Sequence, residues 1–341
     1  MRRAPAIWFP TIRTGTGTDV YTERLVNGLH QRGIRAEISW LPLRAEFAPW
    51  TVDVPRAPTW ASIVHVNTWL HTRFLPFGIP IIATVHHAVH HPDAQAYKGI
   101  AQTFYHREWI APNERRILHS AANVVAVSEF VAESTRLTLS NVPMQVIHNG
   151  VDINAFCPPV SPREPQKPFR LLYVGSWIAR KGVDLLPKIL RELGEDFELH
   201  YTGGRATSRE KHRMPPNMKD VGRLDSPLAV AAAMRSADAL LLPSLSEGHP
   251  LVAIEAMACG LPVIGTHGTS IAEAVSDGKT GILCARNDAS AFAEAARKLR
   301  ADKTQYNTLT RTARNEAEER FSERQMLDAY LRLYEKIALY S

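Results

Sequence analysis

Two doubly wound α/β domains facing a cleft are the fold predicted for this chain of 341 residues. Three observations predict it. Short β-branched runs alternate with longer amphipathic segments, a proline-rich break lies near the middle, and the length suits two domains better than one. In the first half the strand candidates are 34–40, 62–66, 79–85, 123–127 and 145–147. Residues 18–32 read as a helix with Val20, Leu25 and Leu29 as its apolar stripe and Gly33 as its stop. In the second half the strand candidates are 170–174, 197–201, 239–242, 261–264 and 281–284, with helices at 182–193, 226–234 and 289–302 between or after them. Residues 158–168 hold five prolines in eleven positions, a composition that can neither pair in a sheet nor fill a helix, and read as the linker. The expected domains are 1–160 and 161–320. A helical tail runs over 289–339, and 321–341 form a closing helix free to return to the first domain.

The composition, 45% hydrophobic and 22% charged, is that of a globular protein. Cys157, Cys259 and Cys284 form no C-x-x-C pair, which argues against a zinc or redox site and fits a reducing, cytoplasmic setting. The first ten residues are too short and too proline-broken for a signal peptide, and no apolar run is long enough to span a membrane. A formal charge of +6 and a pI near 9.3 suit anionic partners, and are also ordinary for this length. No basic-aromatic motif of a nucleic-acid reader accompanies the charge, so no nucleic-acid partner is expected.

The segment 243–264 carries the chemistry. A strand ends near Leu242, a turn with Gly248 follows, and a helix begins near Pro250 and stops at Gly260, with Pro262 beyond. The free amides of the first helical turn, near Leu251 and Val252, make an anion site. Glu247 stands just before them and Glu255 two turns later, so two carboxylates eight residues apart can reach the two ends of one extended ligand. Isolated, Glu247 would read as a helix cap and Glu255 as a solvated side chain. The whole segment, with Pro243-Ser244 before it and Glu255-Ala256-Met257-Ala258-Cys259-Gly260 at its end, resembles the E-x7-E stretch of the retaining GT-B glycosyltransferases of family 4.

Other segments resemble that family in order. Asn149-Gly150-Val151-Asp152 with Phe156 resembles its N-G-V-D-x-x-x-F. Residues 173–182 resemble its V-G-R-x-x-x-x-K-G loop, with Lys181 as the phosphate lysine and Arg180 beside it. Ser176 departs from the pattern, standing where the family usually has arginine; Arg180 or Arg205 could replace that cation. Val221-Gly222-Arg223 resembles the segment that reads the nucleobase, and 265–281 resemble the loop after the E-x7-E helix. In the first domain, Gly15-Thr16-Gly17 resembles the glycine loop that closes over donor phosphates, His86 resembles the histidine near the reacting sugar, and His65 resembles a second strand-end histidine.

The resemblance implies a UDP- or GDP-sugar donor, with Glu255 on the ribose, Glu247 on the sugar, Lys181 with the amides near Leu251 and Val252 on the diphosphate, and Gly248, His249 and Pro250 also against the donor. His86, Glu247 and Lys181 are the implied catalytic set. Neither a cofactor nor a metal is expected. The histidines 86–91 could read as metal ligands, but Pro92 breaks any helix there and no H-E-x-x-H is present. The implied acceptor is a glycan, glycolipid or lipid-linked molecule in cell-surface polysaccharide synthesis. The mixed aromatic and basic stretch 97–116 (Lys98, Phe104, Tyr105, His106, Arg107, Trp109, Arg115 and Arg116) suggests either an ordinary amphipathic helix or contact with an anionic membrane face or a lipid-diphosphate acceptor. The competing readings are a sugar-nucleotide epimerase of the same architecture and a degenerate protein that binds a sugar nucleotide without turnover. The oligomeric state is left open.

Overall fold

The computed structural model describes residues 4–161, 164–204 and 214–339. They divide into two compact units, one of Met1–Asn149 with Glu323–Ser341, the other Gly150–Ser322. The proline-rich segment expected as the linker therefore belongs to the second unit. The residues just before it explain why. The Val151 N–H donates to the Phe321 carbonyl at 2.8 Å, and Phe156 is 1% exposed in that unit's core.

The first unit holds six parallel strands: β1 (Ala6–Ile12), β2 (Arg35–Leu41), β3 (Ile63–Asn67), β4 (Ile81–Val85), β5 (Asn123–Ala126) and β6 (Gln145–Val146). Their order is β2-β1-β3-β4-β5-β6. Strands β3 and β4 are buried along their whole length, which suits the apolar, β-branched run of β4 and leaves His65 and Asn67 of β3 as buried polar groups. The sequence reading missed β1 because Pro10 interrupts it. The pairing of β1 with β3 stops at Trp8, two residues earlier, so the absent N–H costs no bond on that side. The helices are α1 (Gly17–Gln31), α2 (Ile100–Tyr105), α3 (Ala111–Ser120) and α4 (Glu129–Thr138). Val20, expected on the apolar face of α1, is 38% exposed; Tyr21, Leu25, Val26 and Leu29 make that face.

The second unit repeats the plan with β7 (Phe169–Tyr173), β8 (Phe197–Tyr201), β9 (Met218–Asp220), β10 (Ala239–Leu242), β11 (Val263–Thr266) and β12 (Gly281–Cys284), in the order β12-β11-β10-β7-β8-β9. Its helices are α5 (Leu186–Leu193), α6 (Pro227–Arg235), α7 (Leu251–Ala258), α8 (Ile271–Ala274), α9 (Ala289–Ala301) and α10 (Lys303–Arg320). The three-residue β9 was too short to read from periodicity. The helix expected over 182–193 begins instead with a 3-10 turn at Val183–Leu185, and α5 follows with Pro187 in its first turn. Asp302 breaks the tail by accepting the Gln305 N–H at 2.8 Å, capping α10.

The last helix, α11 (Glu323–Ala338), packs in the core of the first unit. Its tyrosines join a buried polar network. Tyr334 Oη lies 2.7 Å from His65 Nδ1, while His65 Nε2 lies 2.7 Å from Thr84 Oγ1. Tyr330 accepts a hydrogen bond from the Tyr21 hydroxyl of α1. Burial holds the His65 pKa down at about 3, so the ring is neutral and uses one nitrogen to donate and the other to accept. Tyr334→Phe strands a buried imidazole nitrogen and is expected to cost about 1–3 kcal/mol. Urea unfolding at pH 7 measures this; an unchanged midpoint would show that the bond contributes nothing.

Candidate active site

In the second unit the strand order reverses between β7 and β10, since β7 leads to β8 and β9 on one side while β10 leads to β11 and β12 on the other. Open parallel sheets bind ligands outside the carboxyl ends of their strands at such a point. The loops leaving β7 and β10 there, residues 174–182 and 243–250, are locked together. The Leu245 N–H donates to the Arg180 carbonyl at 2.9 Å. Gly182 has a φ of +67°, and a Cβ there would lie 2.0 Å from the Pro243 carbonyl oxygen. Only glycine permits that approach.

This lock places the charges. Lys181 Nζ donates to Glu247 Oε1 at 2.5 Å. The Arg180 guanidinium lies 3.7 Å from Glu247 Oε2 and donates to the Ser246 carbonyl at 2.8 Å. Glu247 is 5% exposed. Burial pushes its pKa up, but Lys181 and then Arg180 outweigh burial and hold it at about 2. The ionised carboxylate stands just ahead of α7, whose N-terminus at Pro250 no side chain caps. Pro250 is thus the cap residue, and α7 starts one residue later, at Leu251. One carboxylate, two cations and a helix N-terminus leave a net positive site, suited to a diphosphate-bearing ligand.

The first unit holds two more of the expected site residues, Gly17 and His86. Its strand order reverses between β1 and β3. Gly17 opens α1, but the loop before it is already occupied. The Asp19 carboxylate accepts the Thr14 N–H at 3.0 Å and the Gly15 N–H at 2.7 Å. Of the glycine loop expected over donor phosphates, the Gly15 amide therefore serves a local turn. His86 follows β4 and donates from Nε2 to Asn67 Oδ1 at 2.9 Å, and Asn67 in turn donates to the Thr11 hydroxyl at 2.9 Å. Burial holds the His86 pKa at about 3. It is a neutral imidazole whose Nδ1 can accept a hydrogen bond, not a cation for phosphate.

Residues 168–302 match the family described as glycosyl transferases group 1, and residues 42–155 match glycosyltransferase family 4. The chain belongs to glycosyltransferase family 4. It is 30% identical over 269 residues to the D-inositol 3-phosphate glycosyltransferase of Paenarthrobacter aurescens (strain TC1), a match that takes in 71% of this chain and 64% of that one. The sucrose-phosphate synthase structure from Thermosynechococcus elongatus superposes with a TM-score of 0.83 at 19% identity, over 98% of this chain and all of that one. HepE of Anabaena in complex with UDP and glucose superposes with a TM-score of 0.73 at 16% identity, over 96% and 99%. The two six-stranded parallel sheets form the GT-B fold.

Within the second unit the remaining site residues scatter. Glu255 is 8% exposed on α7. The His249 ring is buried and packs 5.2 Å from Phe321. Ser176 is exposed, and its carbonyl accepts the Tyr173 hydroxyl at 2.8 Å. Val221 and Arg223 follow β9, two strands from β7. The Arg223 side chain is 84% exposed and pairs with Asp225 at 3.1 Å, and no described contact joins it to Glu247. Arg205 lies outside the described residues. Asp220 was missed: its Oδ1 accepts the amides of Gly203, Gly204 and Gly222 at 3.2, 3.1 and 2.9 Å and so fixes the loops after β8 and β9. An Asp two residues before a glycine at a strand end was the available signal. Among the described residues, no group of three or more His, Cys, Asp or Glu is placed to hold a metal.

Proposed function

We propose that the protein transfers a sugar, with retention of anomeric configuration, from a UDP- or GDP-sugar to a glycan, glycolipid or lipid-linked acceptor in cell-surface polysaccharide synthesis. The observation that carries this reading is the buried, ionised Glu247 held by Lys181 and Arg180 at the uncapped start of α7. An ammonium has three donors, so Lys181 can keep Glu247 and still take a phosphate oxygen. The donor sugar then lies on Glu247, the diphosphate on Lys181 and the α7 amides, and the ribose on Glu255. As the sugar–phosphate bond breaks, charge grows on the diphosphate, where preorganised cations and amides lower the barrier most. These groups do the neutralising, so no metal is invoked. HepE was solved with UDP and glucose, which supports a uridine donor.

A thermal-shift series with UDP, GDP, ADP and their sugars tests the reading. One diphosphate should stabilise the protein by about 2.7 kcal/mol at about 100 times its Kd. Glu255→Ala should erase most of the shift while leaving the ligand-free melting temperature within a few degrees. No shift with any nucleotide would end the proposal.

A second part of the proposal places the first unit on an anionic membrane face. Ile100 and Phe104 of α2 are 92% and 60% exposed, and Phe47 and Trp50 are 53% and 65% exposed. Trp50 meets Trp109 at 6.1 Å, which joins the two groups, and the flanking Arg107 is exposed. No described helix is long and apolar enough to cross a membrane. Sedimentation with phosphatidylglycerol vesicles at low salt should carry the protein down, and Trp50→Ser with Phe104→Ser should release it. A wild-type protein that stays in the supernatant would contradict this part.

A further inference from the structure

The carboxyl ends of β3 and β4 carry a second set of polar groups that donor binding does not use. Glu114 of α3 is 3% exposed, and both its oxygens are engaged. Oε1 accepts the hydroxyl of Thr68, which directly follows β3, at 2.7 Å. Oε2 accepts His90 Nε2–H, from the loop after β4, at 2.8 Å. The backbone beside His90 is fixed too, since Lys98 Nζ donates to the Val89 carbonyl. Asn113, next to Glu114, donates to the Leu70 carbonyl at 2.8 Å and pins the loop after β3. With Nε2–H on the carboxylate, His90 presents Nδ1 as an acceptor. That atom has no partner among the described residues, and the side chain keeps 12% of its surface exposed. The neighbouring His106 ring lies 6.2 Å away, and its Nδ1 is buried with no hydrogen-bond partner among the described residues. His106 opens a π-helical turn, His106–Ile110, between α2 and α3, an irregularity that often accompanies functional sites.

We infer that His90, oriented by Glu114, binds a hydroxyl of the acceptor, with His106 beside it as a second contact. A carboxylate buried only to brace two loops would be costly, and an apolar contact could brace them as well. A carboxylate that sets one imidazole nitrogen leaves the other oriented, at the sheet edge where doubly wound folds receive ligands. The ligand class is a sugar or polyol hydroxyl, neutral and able to donate. The inference rests on the glycosyltransferase reading above.

Asn and Gln substitutions separate this role from bracing. Gln places an amide where Nε2 sits and keeps the Glu114 bond, while Asn places one where Nδ1 sits. The probes are UDP-glucose and GDP-mannose as donors, and methyl α-glucoside, methyl α-mannoside and octyl β-glucoside as acceptors. Nucleotide release is followed with and without acceptor. His90→Gln should raise the acceptor KM about tenfold, the loss of about one hydrogen bond. It should leave acceptor-free donor hydrolysis and the melting temperature unchanged, and His90→Asn should recover part of the KM. An unchanged acceptor KM in His90→Gln overturns the inference, as does a parallel loss of donor hydrolysis. A wild-type protein that turns over neither donor overturns the transferase reading and this inference with it.

Discussion

Replacing Lys181 by methionine is expected to lower sugar transfer by about 10²–10³-fold, the usual consequence of removing one preorganised group from a developing oxyanion. The same change acts on stability, because Lys181 is the largest attraction that keeps Glu247 ionised. Breaking one partner of a buried ion pair costs about 3–5 kcal/mol. Arg180 remains at 3.7 Å, so the lower end of that range is expected. The pH dependence has a definite sign. Glu247 has a pKa of about 2 in the folded protein against an ordinary value of 4.5. Its depressed pKa therefore stabilises the fold by about 3 kcal/mol above pH ~4.5, and this is lost as pH falls toward ~2. The Lys181→Met protein should lose most of that acid-sensitive component. Urea midpoints from pH 7 to 3 in both proteins measure it. Equal slopes below pH 5 would show that Lys181 does not hold Glu247.

Gly182→Ala should be at least as damaging. The positive φ alone costs an alanine about 1–3 kcal/mol. The added Cβ would also lie 2.0 Å from a carbonyl oxygen, and that oxygen belongs to backbone that no rotamer change can move away. The two loops must separate, which carries Arg180 and Lys181 off Glu247. Gly33→Ala is the control, since Gly33 has a φ of +72° and open space around it. Gly33→Ala should show the backbone cost with full activity, and Gly182→Ala a larger cost with activity lost. Similar effects from both would show that the contact with Pro243 does not organise the site.

The parts of this site that lie close together in sequence were readable. Glu247, Gly248, the start of α7 and Glu255 fall within nine residues, so helix geometry alone relates them. Most of the buried strands were readable for the same local reason, their short runs rich in apolar, β-branched residues. What escaped depends on chain segments that meet only in three dimensions. Lys181 and Glu247 are 66 positions apart, and nothing local says that this lysine rests on that carboxylate. Gly182 reads as an ordinary turn glycine until Pro243 is seen against it. His90 and Glu114 are separated by 24 residues and a π-helical turn. The Asp19 turn that occupies the glycine loop is the exception. Asp19 is four positions after Gly15, and an Asp near exposed amides could have been read as their acceptor.

Calorimetric titration in EDTA compares each nucleoside diphosphate with its own nucleoside and isolates the central claim, that Lys181, Arg180 and the α7 amides hold a diphosphate unaided by metal. For UDP or GDP the diphosphate should bind at least about 100-fold more tightly than uridine or guanosine, about 2.7 kcal/mol from charge-assisted contacts. Equal affinity of both diphosphates and their nucleosides would contradict the account.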